Sequence, residues 1–213
     1  MDGAPYPREY FDINLSCIDD DFLVEAATEK GKALVAGYRM FFRDAPGRHA
    51  DIRKYNRAQV TEQVKTYIAK KGTPGASQIK GVVAKNYNLT GLWQDFASTC
   101  VECGACNLVC PTCHCFLLFD EQDAGGLKKR YREWDACLYK TFARVAGGAN
   151  PRKHLYERLR NRFEKKFDFF PKVMNYFACT GCGRCVEACP GKIDIREVLK
   201  GLVLGKWNKP PND

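Results

Sequence analysis

The chain has 213 residues, room for one generous domain or two small ones, and 45% of them are apolar, enough to build a packed core. It carries 34 Lys and Arg against 25 Asp and Glu, a formal charge of +9, and 12 cysteines. The start, MDGAPYPREYFDINLS, lacks the basic and apolar regions of a secretory leader, and no run approaches the ~20 apolar residues of a membrane span, Ile195 to Leu204 being short and charged. These features argue against a secreted disulfide scaffold and a membrane-spanning protein. They point to a reducing cytoplasm, where cysteines are read first as thiolate ligands.

In chain order, Phe11 to Leu15 and Phe22 to Ala26 are short apolar runs around the acidic turn Asp19-Asp20-Asp21. A helix is predicted over Glu29 to Phe42, stopped by Asp44-Ala45-Pro46-Gly47. A polar helix follows over Ala50 to Lys70, with Ile52, Tyr55, Val60, Val64 and Ile68 on one stripe. Residues 1–75 are thus a small α/β segment, ending in the loop Lys71 to Gly75. Residues 76–91 are read as a linker leading into a short helix before Cys100. Residues 92–213 are read as helical: Leu127, Tyr131, Trp134, Leu138, Phe142 and Val145 recur at helical spacing, with Gly147-Gly148-Ala149-Asn150-Pro151 as the stop. Leu155, Leu159, Phe163 and Phe167 form the stripe of a further helix, which Pro171 is expected to end, and Ile195, Val198, Leu199 and Leu202 suggest a short helix near the C-terminus.

Two segments repeat. Cys100, Cys103, Cys106 and Cys110, followed by Pro111, are matched by Cys179, Cys182, Cys185 and Cys189, followed by Pro190; each cysteine of the second run stands 79 positions after its counterpart. Both read C-x2-C-x2-C-x3-C-P, the run of bacterial-type ferredoxins. Three cysteines separated by two residues wrap one cubane, and Gly104 and Gly183 let the backbone approach it. The fourth diverges to the other cluster. This predicts two [4Fe–4S] clusters, one held by Cys100, Cys103, Cys106 and Cys189, the other by Cys179, Cys182, Cys185 and Cys110. Structural zinc also uses four-cysteine sites, but it does not ask for four cysteines in one run ending in Pro, twice over. Each four-thiolate site carries roughly −2, so two of them bring +9 to about +5. Much of the basic charge therefore offsets the clusters, and a nucleic-acid partner is not expected.

Four cysteines lie outside the repeat. Cys113 and Cys115, in Pro111-Thr112-Cys113-His114-Cys115-Phe116, either supply a replacement ligand or pack near a cluster. Cys137 is read as core on the helical stripe beside Trp134 and Leu138, and Cys17 as core or interface. His49, His114 and His154 show no ligand grouping, and neither G-x-G-x-x-G nor a P-loop appears, so no nucleotide site is expected. Arg152, Lys153, Arg158, Arg160, Arg162, Lys165 and Lys166 form a basic helix surface, read as a solvated face or as a dock for an acidic redox partner. Without an acid/base constellation, the chain reads as an electron-transfer subunit of an oxidoreductase complex with no substrate site of its own. The alternatives are an enzyme using Cys113 and Cys115 in disulfide chemistry and a structural cluster protein on nucleic acid.

The stretch Cys103 to Phe116 resembles the iron–sulfur subunit of anaerobic sulfite reductase and, equally, the β subunit of NADP-linked sulfhydrogenases. So do Trp134-Asp135-Ala136-Cys137, Ala146 to Arg152, Glu157-Arg158-Leu159-Arg160 and Cys182-Gly183-Arg184-Cys185, and in the first segment Phe11 to Leu15, Phe22 to Glu25 and Thr28 to Gly31. The long connector between the motifs, read as helical, is similar to α-helical ferredoxin modules. The fold class expected is mainly α, an α-helical ferredoxin-like dicluster domain preceded by a small α/β segment. The resemblance implies a relay between two other subunits of a complex, one flavin-bearing and binding a pyridine nucleotide, the other catalytic or a hydrogenase. The alternative is the iron–sulfur subunit of a heterodisulfide-reductase-like or other multi-subunit reductase. It also implies an upstream extension holding a third cluster. The chain begins just before Phe11, so that cluster is expected to be absent.

Overall fold

The computed structural model describes residues 4–207, and 44% of these are helical and 13% lie in strands. Residues up to Gly72 form one compact unit and residues from Thr73 another. Among the described residues no helix is long and apolar enough to cross a membrane.

The first unit is a hairpin with two helices. Strands β1 (Ile13–Ile18) and β2 (Asp21–Ala26) pair antiparallel, with Ile18 opposite Asp21. The two-residue turn places Asp19 at φ 52°, a left-handed conformation that Asp tolerates better than most residues. Helix α1 (Glu29–Gly37) starts on Thr28, whose hydroxyl accepts from the Gly31 N–H and donates to Asp12. It ends short of the expected Phe42, and a single 3-10 turn (Arg39–Phe41) follows. Helix α2 (Gly47–Lys70) packs on the hairpin through Arg53 and Arg57 rather than through the expected apolar stripe: Tyr55 is 64% and Val60 44% exposed. Arg53 reaches Glu25 at 3.0 Å, and Arg57 reaches Ser16 at 3.2 Å and stacks on Tyr6.

The second unit has a helical core. Helices α3 (Ala76–Ile79) and α4 (Val82–Lys85) occupy the stretch read as linker, and Ile79, Val82 and Val83 are buried there. Helix α5 (Thr90–Ala97) contributes Trp93 and Phe96, and helix α10 (Ile195–Leu204) contributes Val198, Leu199 and Leu202. Trp93 is fully buried, edge-on to Phe96 and tilted on Phe163, with its indole N–H on the Asn86 carbonyl. The Asn86 amide donates to Val82 and Leu202 carbonyls, tying α4 to α10. Each such apolar side chain contributes about 1.5–3 kcal/mol.

Between the cysteine motifs the expected helix over Leu127 to Val145 does not form. Strands β3 (Phe116–Gln122) and β4 (Lys128–Trp134) pair antiparallel instead, and the second unit is not purely helical. The 4-3-4 spacing of Leu127, Tyr131, Trp134 and Leu138 fits a helix, but turn chemistry overrides it. Asp123 accepts from the Gly125 and Leu127 N–H groups, and Gly126 takes φ 82°. Cross-strand pairs then fix the register: Phe119 stacks on Tyr131, and Asp120 receives two hydrogen bonds from Arg130.

Helix α7 (Leu155–Glu164) runs through a π-turn (Lys165–Phe169) into α8 (Phe170–Met174). Pro171 does not break this rod, because it lies in the first turn of α8, where no backbone donor is needed. The stop is Asn175, at φ 59°. Leu159, Phe163 and Phe167 face the core. Arg158, Arg162 and Lys166, spaced by four, are only 1, 5 and 3% exposed. The basic surface read as a dock is therefore largely interior.

Arg158 donates to Glu102 at 2.8 Å and to the carbonyls of Leu138, Arg152 and Lys153. Replacing it strands a carboxylate and three carbonyls. Arg158→Ala should cost ~3–5 kcal/mol, against about 1 kcal/mol for Arg160→Ala, whose guanidinium lies over the Tyr87 ring. Unfolding midpoints of the two anaerobically purified variants measure the difference.

Candidate iron–sulfur centre

The sequence repeat is also a structural repeat. Helices α6 (Ala105–Leu108) and α9 (Arg184–Glu187) keep the 79-residue offset and contact each other. Before them Gly104 and Gly183 take φ 71° and 80°, and Glu102 and Gly181, one position ahead of the second cysteine of each run, take φ 57° and 73°. Both loops curl alike because only left-handed residues there fold three cysteines around one space. Glu102 does so without being glycine, and its carboxylate is held by Arg158.

One cavity is lined by Cys100, Cys103 and Cys106 of the first run together with Cys185 and Cys189 of the second. Apolar side chains close it: Leu138, Leu159, Phe163, Ile193 and Ile195. The two runs are clipped beside it by Thr99, whose hydroxyl donates to the Gly191 carbonyl at 2.7 Å. Cys189 accepts the Ile193 N–H at 3.3 Å. Burial raises the Cys100 thiol, and burial outweighs nearby Arg162 to push Cys106 up to about 11. The irons of a bound cluster would supply the positive charge that favours these thiolates against the cost of burial.

The second group is less enclosed. Cys182 is exposed, and it lines neither the cavity above nor the one formed by Cys113, Cys115 and Cys137. Lys166 links its members. Its ammonium donates to the Cys110 sulfur at 3.2 Å, to Thr112 at 3.0 Å and to the Ala178 carbonyl, and it lies close enough to favour the Cys179 thiolate. Burial nonetheless leaves Cys179 raised. A hydrogen bond with Cys113 lowers Cys110 and raises Cys113.

Arg162 stands at the wall of this first cavity and of a second one lined by Cys113, Cys115 and Cys137. Burial lowers its basicity, but the sulfurs of Cys106, Cys185 and Cys113 more than reverse this. One guanidinium nitrogen donates to the Cys106 carbonyl at 3.3 Å, while Nε is buried without a partner. Sequence reasoning placed these cations on a solvated or docking face instead of at the cysteines. The signal was the four-residue spacing of Arg158, Arg162 and Lys166 alongside Leu159, Phe163 and Phe167, which puts charge and core on adjoining faces of one helix.

None of the twelve cysteines is paired in a disulfide. Among the described residues, no three His, Cys, Asp or Glu side chains converge on a single metal ion. A thiol-lined space with an orphaned cationic donor fits a cluster, which has volume and sulfides that accept hydrogen bonds, better than a lone ion. His49 and His154 join neither cavity, and Cys17 lies in the first unit.

Residues 99–193 match the 4Fe-4S dicluster domain family. Over 205 residues the chain is 31% identical to sulfhydrogenase 2 subunit beta of Pyrococcus furiosus, an alignment covering 94% of this chain and 59% of that protein. The chain thus spans about three fifths of that relative's length. No solved structure matches. Residues 99–193 thus form a 4Fe-4S dicluster domain, with the two [4Fe–4S] clusters this implies, and the chain is similar over most of its length to sulfhydrogenase 2 subunit beta.

Proposed function

We propose that the chain is the electron relay of an oxidoreductase complex, passing electrons between two other subunits, one flavin-bearing and binding a pyridine nucleotide, the other catalytic or a hydrogenase. Cys100, Cys103, Cys106 and Cys189 hold one cluster, and Cys179, Cys182, Cys185 and Cys110 the other. The observation that carries the reading is the cavity in which Cys189 of the second run, with Cys185 beside it, joins three cysteines of the first. Crossed ligation keeps the two redox centres close, as one-electron relay requires. When bound, the clusters supply reversible one-electron chemistry. The chain's residues position them, exclude water and set the surrounding charge. The similarity to a sulfhydrogenase subunit supports the assembly.

Crossed ligation has a direct test. Cys189→Ser should alter the EPR signal that Cys100→Ser also alters, and Cys110→Ser should alter the signal sensitive to Cys179→Ser. If each serine instead disturbs only the signal of its own run, ligation is local.

Charge makes a second prediction. Reduction adds a negative charge, which the Lys166 ammonium beside Cys110 stabilises. Lys166→Gln should therefore lower the midpoint potential of the cluster sensitive to Cys110→Ser, by on the order of 100 mV, and shift the other less. Potentiometric titration followed by EPR reads both.

A further inference from the structure

The second cavity collects three thiols that neither ferredoxin run uses. Cys113, Cys115 and Cys137 line it together with His114, Asn107, Arg162, Lys165 and Lys166. The β3–β4 hairpin creates this meeting. Its base closes with the Asp135 N–H on the Cys115 carbonyl at 3.0 Å, so the chain leaving β4 returns beside the chain entering β3. Cys137 is thereby set against Cys115 rather than on a helix face, close enough for the Cys115 sulfur to raise the Cys137 thiol.

The groups around these sulfurs are donors and cations. The Asn107 amide donates to Cys137 at 3.2 Å and to Cys113 at 3.6 Å. The Lys165 ammonium lies 3.8 Å from Cys115. Arg162 and Lys166 complete the positive lining, and no Asp or Glu side chain lines the cavity. Cys137 is 2% exposed, its thiol raised by burial and lowered by Asn107. Three thiols packed merely as core would not call for one buried amide and three cations, because those donors cost desolvation unless an anion meets them.

We propose that Cys113, Cys115 and Cys137 hold a third iron–sulfur cluster, in addition to the two of the ferredoxin runs. Ligation takes one proton from each thiol and leaves three thiolates on three irons. His114, the remaining metal-ligating side chain of the cavity, would be the ligand available to a fourth iron. A single zinc fits less well. Its ligands close to within 2.0–2.3 Å of one point and leave no void, whereas these thiols surround a space and do not converge. Lys166 touches both this cavity and the Cys110 sulfur, so the site adjoins the second cluster and extends the relay to three centres.

The test uses the full chain, loaded anaerobically with sulfide and equal amounts of ferrous and ferric iron. About twelve irons and twelve sulfides per chain are expected, falling to about eight of each in the double variant Cys115→Ser, Cys137→Ser, with the EPR signals of the two ferredoxin-type clusters retained. Eight irons in the unchanged chain would overturn the third site and leave the dicluster reading intact. Eight irons plus one zinc, or a disulfide among these three cysteines by mass spectrometry of the anaerobic protein, would overturn the cluster as its occupant. Fewer than eight irons in the unchanged chain, with the third-site cysteines still accounting for four, would count against the dicluster reading instead. The count on the unchanged chain decides the matter even if the double variant does not fold.

Discussion

The second unit is organised around the cost of placing negative sulfur sites inside a small apolar core. An uncompensated buried charge costs several kcal/mol, so each sulfur-rich cavity must bring its own positive charge. Helix α7 and its π-turn supply it. Leu159, Phe163 and Phe167 form one face of the rod and lock it into the core with Trp93. Arg158, Arg162 and Lys166 form the adjoining face and meet the cysteine loops. The partners of Arg162 and Lys166 are sulfur, hydroxyl and carbonyl groups rather than carboxylates. Both cations thus keep their charge available to the sites.

The π-turn adds a backbone contribution. One extra residue in the turn takes the Lys166 carbonyl out of the helical ladder, and it accepts the Ala178 N–H at 3.0 Å, next to Cys179. Lys166 itself holds the Ala178 carbonyl and Thr112. The same residue therefore anchors the second cysteine run to the chain after Cys110 through main chain and side chain together. A helix of ordinary pitch would give the ammonium but not the free carbonyl.

Legibility differed between kinds of signal. The cysteine repeat was readable because its chemistry is local: ligand spacing along a loop fixes how three thiols can face one cluster, and the same 79-residue offset reappears in α6 and α9. The stripe of the α7 helix was equally plain. The hairpin was misread because Leu127, Tyr131, Trp134 and Leu138 satisfy a helical period by coincidence, while the Asp123 turn that decides the matter occupies only the five residues from Asp123 to Leu127. The linker reading of residues 76–91 failed for a related reason. Helices of four residues carry too short a pattern to show a period, and Ile79 and Val83 are recognisable as core only when α10 packs on them.

By itself the sequence determined that this chain holds two cubane-type sites, since ligand identity and spacing are set by residues a few positions apart. It also determined that a long amphipathic helix lies between the two runs. The tertiary structure decided where the charge goes and which cysteines keep company. Arg158, Arg162 and Lys166 look like a solvated face in sequence, because nothing local says that both sides of their helix are covered. Cys137 looks like core until the β3–β4 hairpin closes and brings it to Cys115. Both outcomes depend on contacts between residues 20 to 60 positions apart, such as Arg158 with Leu138 and Lys166 with Cys110. Contacts at that range follow from the packing of whole elements, which a local pattern does not record.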